Sequence, residues 1–79
     1  MLMSIKVRYF ASLKEYVGRS EDLLNISDQT TVTEVWRLAN SDKPLPESVL
    51  VAVNMDYVAL DSPVQDGDEV AFFPPVTGG

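Results

Sequence analysis

One stretch of this chain sets the terms for the rest. Thr31-Val32-Thr33-Glu34 reads as a T-x-x-E capping box, in which the threonine hydroxyl and the glutamate carboxylate satisfy free amides of a first helical turn. Val32, Val35, Trp36 and Ala39 then recur at i, i+3, i+4 and i+7, which makes a single apolar stripe. Pro44 and Pro46 prevent the helix from continuing past the Asn40–Pro46 segment. At that spacing Trp36 belongs to a core rather than to a binding surface. A helix with one apolar stripe must bury it, and most of the remaining chain offers strands to bury it against.

Ser4–Phe10 alternates, with Ile5, Val7 and Tyr9 on one side and Lys6, Arg8 and Phe10 on the other. Ser12–Val17 makes a short helix stopped by Gly18. Leu23–Ser27 is a second strand with Leu24 and Ile26 inward, and Val49–Asn54 a third. Met55 with Asp56 makes a turn into Tyr57–Leu60, where Val58 and Leu60 face inward and Tyr57 outward. Asp66-Gly67-Asp68 turns the chain into a last strand, Glu69–Phe73, with Val70 and Phe72 inward and Phe73 outward. The order ββ-helix-ββ predicts an α+β domain, a mixed sheet wrapped on one main helix in the β-grasp, ubiquitin-like manner; periodicity alone also permits other small α+β folds. In a β-grasp the first and last strands lie side by side. Phe10, Tyr57 and Phe73 then share the outer face as a partner-facing apolar patch.

The chain has 79 residues, enough for one domain, which at this size buries ~60% of its unfolded surface. Residues 1–73 are expected to form the domain and residues 74–79 an extended tail. No run exceeds the five aliphatic residues Val49–Val53, far short of the ~20 needed to span a bilayer. Lys6 and Arg8 come too early for a secretory signal, so a soluble cytoplasmic protein is expected.

The absence of cysteine and histidine excludes disulfides, thiolate nucleophiles, zinc–thiolate sites and histidine general bases. This composition poorly equips an enzyme acting alone. The net charge is −6, and residues 44–79 hold Glu47, Asp56, Asp61, Asp66, Asp68 and Glu69 with no basic residue. Such a surface repels nucleic acid and anionic lipid, and suits either solubility or docking to a basic partner. Asp66, Asp68 and Glu69 are expected to lie nearest the tail and are the first candidates for that docking. They lack the spacing of a calcium loop, and no metal or cofactor is expected.

After Phe73 the chain reads Pro74-Pro75-Val76-Thr77-Gly78-Gly79. Two prolines cannot donate ladder hydrogen bonds, so the sheet should end there and the chain leave extended, reaching roughly 20 Å at ~3.3 Å per residue. Gly78 and Gly79 have no side chains, so the tip can enter a channel that any Cβ would obstruct. The reactive handle left to such a chain is the α-carboxylate of Gly79. Once activated as an acyl-adenylate, it can receive sulfur as a thiocarboxylate or an amine as an amide.

From Ile5-Lys6-Val7 through Ala52-Val53-Asn54 to the terminus, the chain resembles the small subunit of molybdopterin synthase, the MoaD-type sulfur carrier. The run from Asp66 to Gly79 carries most of that likeness. The resemblance implies a β-grasp fold with Gly79 as the reacting residue and Gly78 behind it. It also implies an adenylating activating enzyme that uses ATP, a sulfur donor, and a large subunit that receives the tail, with Pro74, Pro75, Val76 and Thr77 gripped on the way. Sulfur would pass to cyclic pyranopterin monophosphate in two rounds, within a heterotetramer of two small and two large subunits. A thiamine-pathway sulfur carrier shares the diglycine end, although Phe73-Pro74-Pro75 is closer to the molybdopterin type. A ubiquitin-like protein modifier is the other fate that the tail chemistry permits.

Overall fold

The computed structural model describes residues 3–27 and 29–74. Its elements are β1 (Met3–Tyr9), α1 (Ser12–Val17), β2 (Glu21–Ile26), β3 (Thr30–Thr31), α2 (Val32–Ala39), β4 (Leu50–Val53), β5 (Asp56–Val58), β6 (Pro63–Val64) and β7 (Glu69–Phe73). Five strands form one sheet in the order β2-β1-β7-β4-β5, and β3 pairs with β6 separately. The central pair β1 and β7 is parallel, and the other neighbours are antiparallel. This is the β-grasp arrangement expected from the element order.

Period-two alternation decides what is buried. Ile5, Val7 and Tyr9 of β1, with Val70 and Phe72 of β7, are at most 2% exposed. They meet the α2 stripe of Val32, Val35 and Trp36. The Trp36 ring stands edge-on to Phe72 (5.1 Å) and to Tyr9 (5.8 Å), and its indole N–H donates to the Lys43 carbonyl at 2.9 Å. Trp36 is a core residue, and its polar edge also secures the chain leaving α2.

The capping box is only half realised. Thr31 Oγ1 accepts from the Glu34 amide at 3.4 Å, but the Glu34 carboxylate turns outward to Arg37 at 2.6 Å. The Val32 and Thr33 amides donate instead to the carbonyls of Ser62 and Leu60, each at 3.0 Å. The helix is thus started by the segment around the β3–β6 ladder, a contact distant in sequence. Leu60, expected inward, is 39% exposed: β5 ends at Val58, so strand alternation no longer sets its side, and its carbonyl accepts from the Thr33 amide.

The β4–β5 turn falls one residue earlier than expected. Val53 pairs with Asp56, so Asn54 and Met55 form a two-residue loop, with φ of 51° and 74°. Positive φ at both positions is the type I′ hairpin, which suits Asn-Gly and strains methionine. Met55 is 91% exposed and has little packing to lose. Met55→Gly is expected to raise stability by roughly 0.5–1 kcal/mol, seen as a higher midpoint in chemical denaturation.

A polar network under the end of α2 was not evident from the sequence. Asn40, 3% exposed, donates through Nδ2 to the Tyr9 hydroxyl at 3.0 Å and accepts through Oδ1 from Arg19 at 2.8 Å. Tyr9 donates to Asp22 at 2.9 Å, and Arg19 forks onto the same carboxylate. Burial pushes the Tyr9 phenol above its usual pKa; the Asn40 amide opposes this and the Asp22 carboxylate adds to it. Above the ordinary phenol pKa of about 10, the unfolded chain therefore releases this proton more readily than the folded one. Stability from this group is intact below about pH 10, the unfolded value, and falls as pH rises from there through the raised folded value. In melting curves across that alkaline range, Tyr9→Phe is expected to lose this component of the decline.

Candidate functional site: the open face of the sheet and the root of the tail

Strand register builds the open face. Arg8 pairs with Ala71, Ala71 with Ala52, and Ala52 with Tyr57, which places four outward residues in one row across β1, β7, β4 and β5. The next row holds Phe10, Phe73 and Leu50: Leu50 pairs with Phe73, and the Phe10 amide donates to the Phe72 carbonyl at 3.1 Å. Ala52 and Ala71 are nearly inaccessible yet stand outside the core cluster, so they form the low floor between the larger side chains.

On that floor the three predicted aromatics meet. Phe10 and Phe73 stack with ring centroids 4.7 Å apart and planes 10° from parallel. Tyr57 tilts toward Phe73 at 6.2 Å. Phe10 and Phe73 are half-buried, whereas Tyr57 is 72% exposed and Leu50 sits at the margin. The Arg8 guanidinium lies 5.4 Å from the Phe10 ring centroid, a cation–π contact that sequence reading did not anticipate. Arg8 was legible only as an outward charge; its position beside the aromatics follows from the β1–β7 register.

Pro74 follows Phe73 directly and lines a small groove with Leu13, Tyr16, Pro44 and Val49. The patch therefore sits at the root of the tail. Pro75, Val76, Thr77, Gly78 and Gly79, expected to form the extended tail, lie outside the described residues.

The acidic candidates are placed differently from expectation. Glu69 begins β7 and Phe73 ends it, a separation of about 13 Å at the rise of an extended strand. Asp66, Asp68 and Glu69 are thus at the end of β7 opposite Phe73 and Pro74, although close to them in sequence. Two of the carboxylates already serve the fold. Asp66 accepts from the Ser4 amide at 2.7 Å, and Asp68 accepts from the Gln65 amide at 2.8 Å and from Asn54 Nδ2 at 2.9 Å. The Glu69 amide donates to Asn54 Oδ1 at 3.0 Å, so the hairpin and the acidic turn lock together. Gly67, at φ +86°, supplies the left-handed residue this turn requires. Asp68→Ala is expected to cost about 1 kcal/mol of stability, because it removes the surface hydrogen bonds that its carboxylate accepts from the Gln65 amide and Asn54 Nδ2. Thermal melts check this. Among the described residues, no group of three acidic side chains is arranged to hold a metal ion. Nor is any helix among them long and apolar enough to cross a membrane.

The face just described groups Phe10, Tyr57 and Phe73 beside Pro74, the last described residue, and among the described residues no three acidic side chains converge on a metal site. Comparison with known proteins agrees with that geometry: residues 7–79 match the model of the ThiS family. The chain belongs to the ThiS family. It is 44% identical to the molybdopterin synthase sulfur carrier subunit of Escherichia coli K12, over 95% of this chain and 99% of that one. Among solved structures, it resembles a putative molybdopterin converting factor subunit 1 from Pyrococcus furiosus, with a TM-score of 0.75 and 28% identity over 94% of this chain and 99% of that one. It also shares its fold with a protein-protein complex of subunits 1 and 2 of molybdopterin-converting factor from Helicobacter pylori, at a TM-score of 0.65 and 23% identity, covering 98% and 100%. This ThiS-family chain therefore matches its relatives over nearly their full length.

Proposed function

We propose that this chain is the sulfur-carrier subunit of a molybdopterin synthase. The observation that carries the reading is the stacked Phe10–Phe73 pair, with Tyr57 beside it, at the point where the tail leaves the sheet. An apolar anchor there lets a partner hold the domain and direct Gly79 into its own active site. The near full-length relationship to a sulfur carrier subunit supports the same reading.

In this proposal the Gly79 carboxylate attacks ATP on an adenylating activating enzyme, forming an acyl-adenylate and releasing pyrophosphate. Sulfide-level sulfur from a sulfur donor then attacks the acyl carbon, breaking its bond to AMP, and leaves a thiocarboxylate. The large synthase subunit takes the tail along Pro74, Pro75, Val76 and Thr77 and supplies the catalytic side chains, which this chain lacks. Sulfur passes to cyclic pyranopterin monophosphate, and two carriers serve two large subunits in a cytoplasmic heterotetramer. The chain itself binds no cofactor; ATP belongs to the activating enzyme.

Reconstitution tests the proposal. The thiocarboxylated chain, mixed with the large subunit and cyclic pyranopterin monophosphate, is expected to yield molybdopterin at two carriers consumed per product. Failure of the thiocarboxylated chain to form product with an otherwise active large subunit would refute it.

A further inference from the structure

Covering the aromatic patch has a consequence for Arg8. Of the two cations that the register places on the open face, Lys6 lies 4.0 Å from the Glu21 carboxylate. Glu21 is also the cross-strand partner of Arg8, yet Arg8 makes no ion pair with it or with any other described residue. The guanidinium rests instead against Phe10 at 5.4 Å, on the same ring that stacks with Phe73. Any surface that covers these rings also takes water away from the guanidinium. A desolvated cation without a partner is strongly unfavourable, and a cation–π contact alone does not replace its lost hydration. The guanidinium is a planar fork of donors whose geometry matches a carboxylate.

We infer that Arg8 forms an ion pair with a carboxylate of the protein that docks on the Phe10–Tyr57–Phe73 patch, and that this pair sets the orientation of docking. Aromatic contact by itself leaves a partner free to rotate on the patch. A charge on the β1 side alone removes that freedom, because the opposite side, toward β5, carries no basic residue. The chain's net charge of −6 disfavours acidic surfaces in general, so the matching carboxylate must be local, within a partner surface that is otherwise apolar or basic. The inference rests on the carrier reading above and assigns its docking surface a chemical complement.

The test measures the affinity of the full chain for the large synthase subunit by calorimetry, with Arg8→Met, Arg8→Glu and Phe73→Ala in parallel. Arg8→Met is expected to weaken binding about tenfold and Arg8→Glu about a hundredfold or more. The melting temperature stays near the native one for Arg8→Met, since Arg8 is exposed, and falls somewhat for Arg8→Glu, which faces Glu21 across the strands, so binding is compared at equal concentrations of folded protein. An acidic-to-lysine substitution on the large subunit is expected to restore binding of the Arg8→Glu chain. If both Arg8 variants bind within about twofold of the native chain while Phe73→Ala binds poorly, the ion pair is wrong and the carrier reading stands. If Phe73→Ala also binds normally, the docking surface itself is misassigned, and the Arg8 inference falls with it.

Discussion

Deleting Gly79, or adding one residue after it, is expected to abolish sulfur transfer while leaving the folded domain unchanged. Among the described residues, every member of the core cluster lies at or before Phe72, so removing Gly79 leaves each of those side chains in place. In the proposed mechanism, by contrast, one carboxyl carbon must arrive at a fixed depth in the partner's active site. A shift of one residue displaces that carbon by about 3.3 Å, comparable to the whole separation of reacting atoms in a productive complex. The expected pattern is a normal circular dichroism spectrum and melting temperature with no molybdopterin formed. Product formation at the native rate by the shortened chain would remove Gly79 from the mechanism.

The second large effect is Phe73→Ala, which is expected to weaken large-subunit binding by ~30-fold or more, corresponding to ~2 kcal/mol for an aromatic anchor. Some stability goes with it. The stack on Phe10 and the contact with Tyr57 are present in the isolated domain. Their loss costs about 0.5–1.5 kcal/mol. The neighbouring residue provides the contrast. Phe72 is fully buried against Trp36 and Tyr9, and Phe72→Ala is expected to cost about 3–5 kcal/mol, enough to unfold much of so small a domain. Affinity should therefore track Phe73 and folding should track Phe72. Binding assays at fixed concentration of folded protein, with parallel thermal melts, separate the two.

The aromatic patch was legible because strand parity is a strict rule. Once Ile5, Val7 and Tyr9 are inward, Phe10 is outward, and the parallel β1–β7 pairing brings it beside Phe73. The acidic turn was misplaced for a related reason. A strand converts four steps of sequence into a long distance, so residues near the tail in the chain stand at the far end of β7. Short or irregular features left no pattern to read. The β3–β6 ladder has only two residues on each side, too few to show alternation. The positive φ of Met55 opposes its local preference and is held by its surroundings, in which Asn54 bonds to Asp68 and Glu69. The Arg19–Asp22–Tyr9–Asn40 network joins residues up to 31 positions apart, and nothing in their spacing signals the contact.

The most direct measurement is the intact mass of this chain after incubation with the activating enzyme, ATP and a sulfur source. The account predicts one species, heavier than the starting chain by the difference between a sulfur and an oxygen atom, with the change localised to Gly79 by fragmentation. A chain that instead appears joined to lysines of other proteins, or that keeps its original mass under conditions where a known carrier is converted, would contradict it.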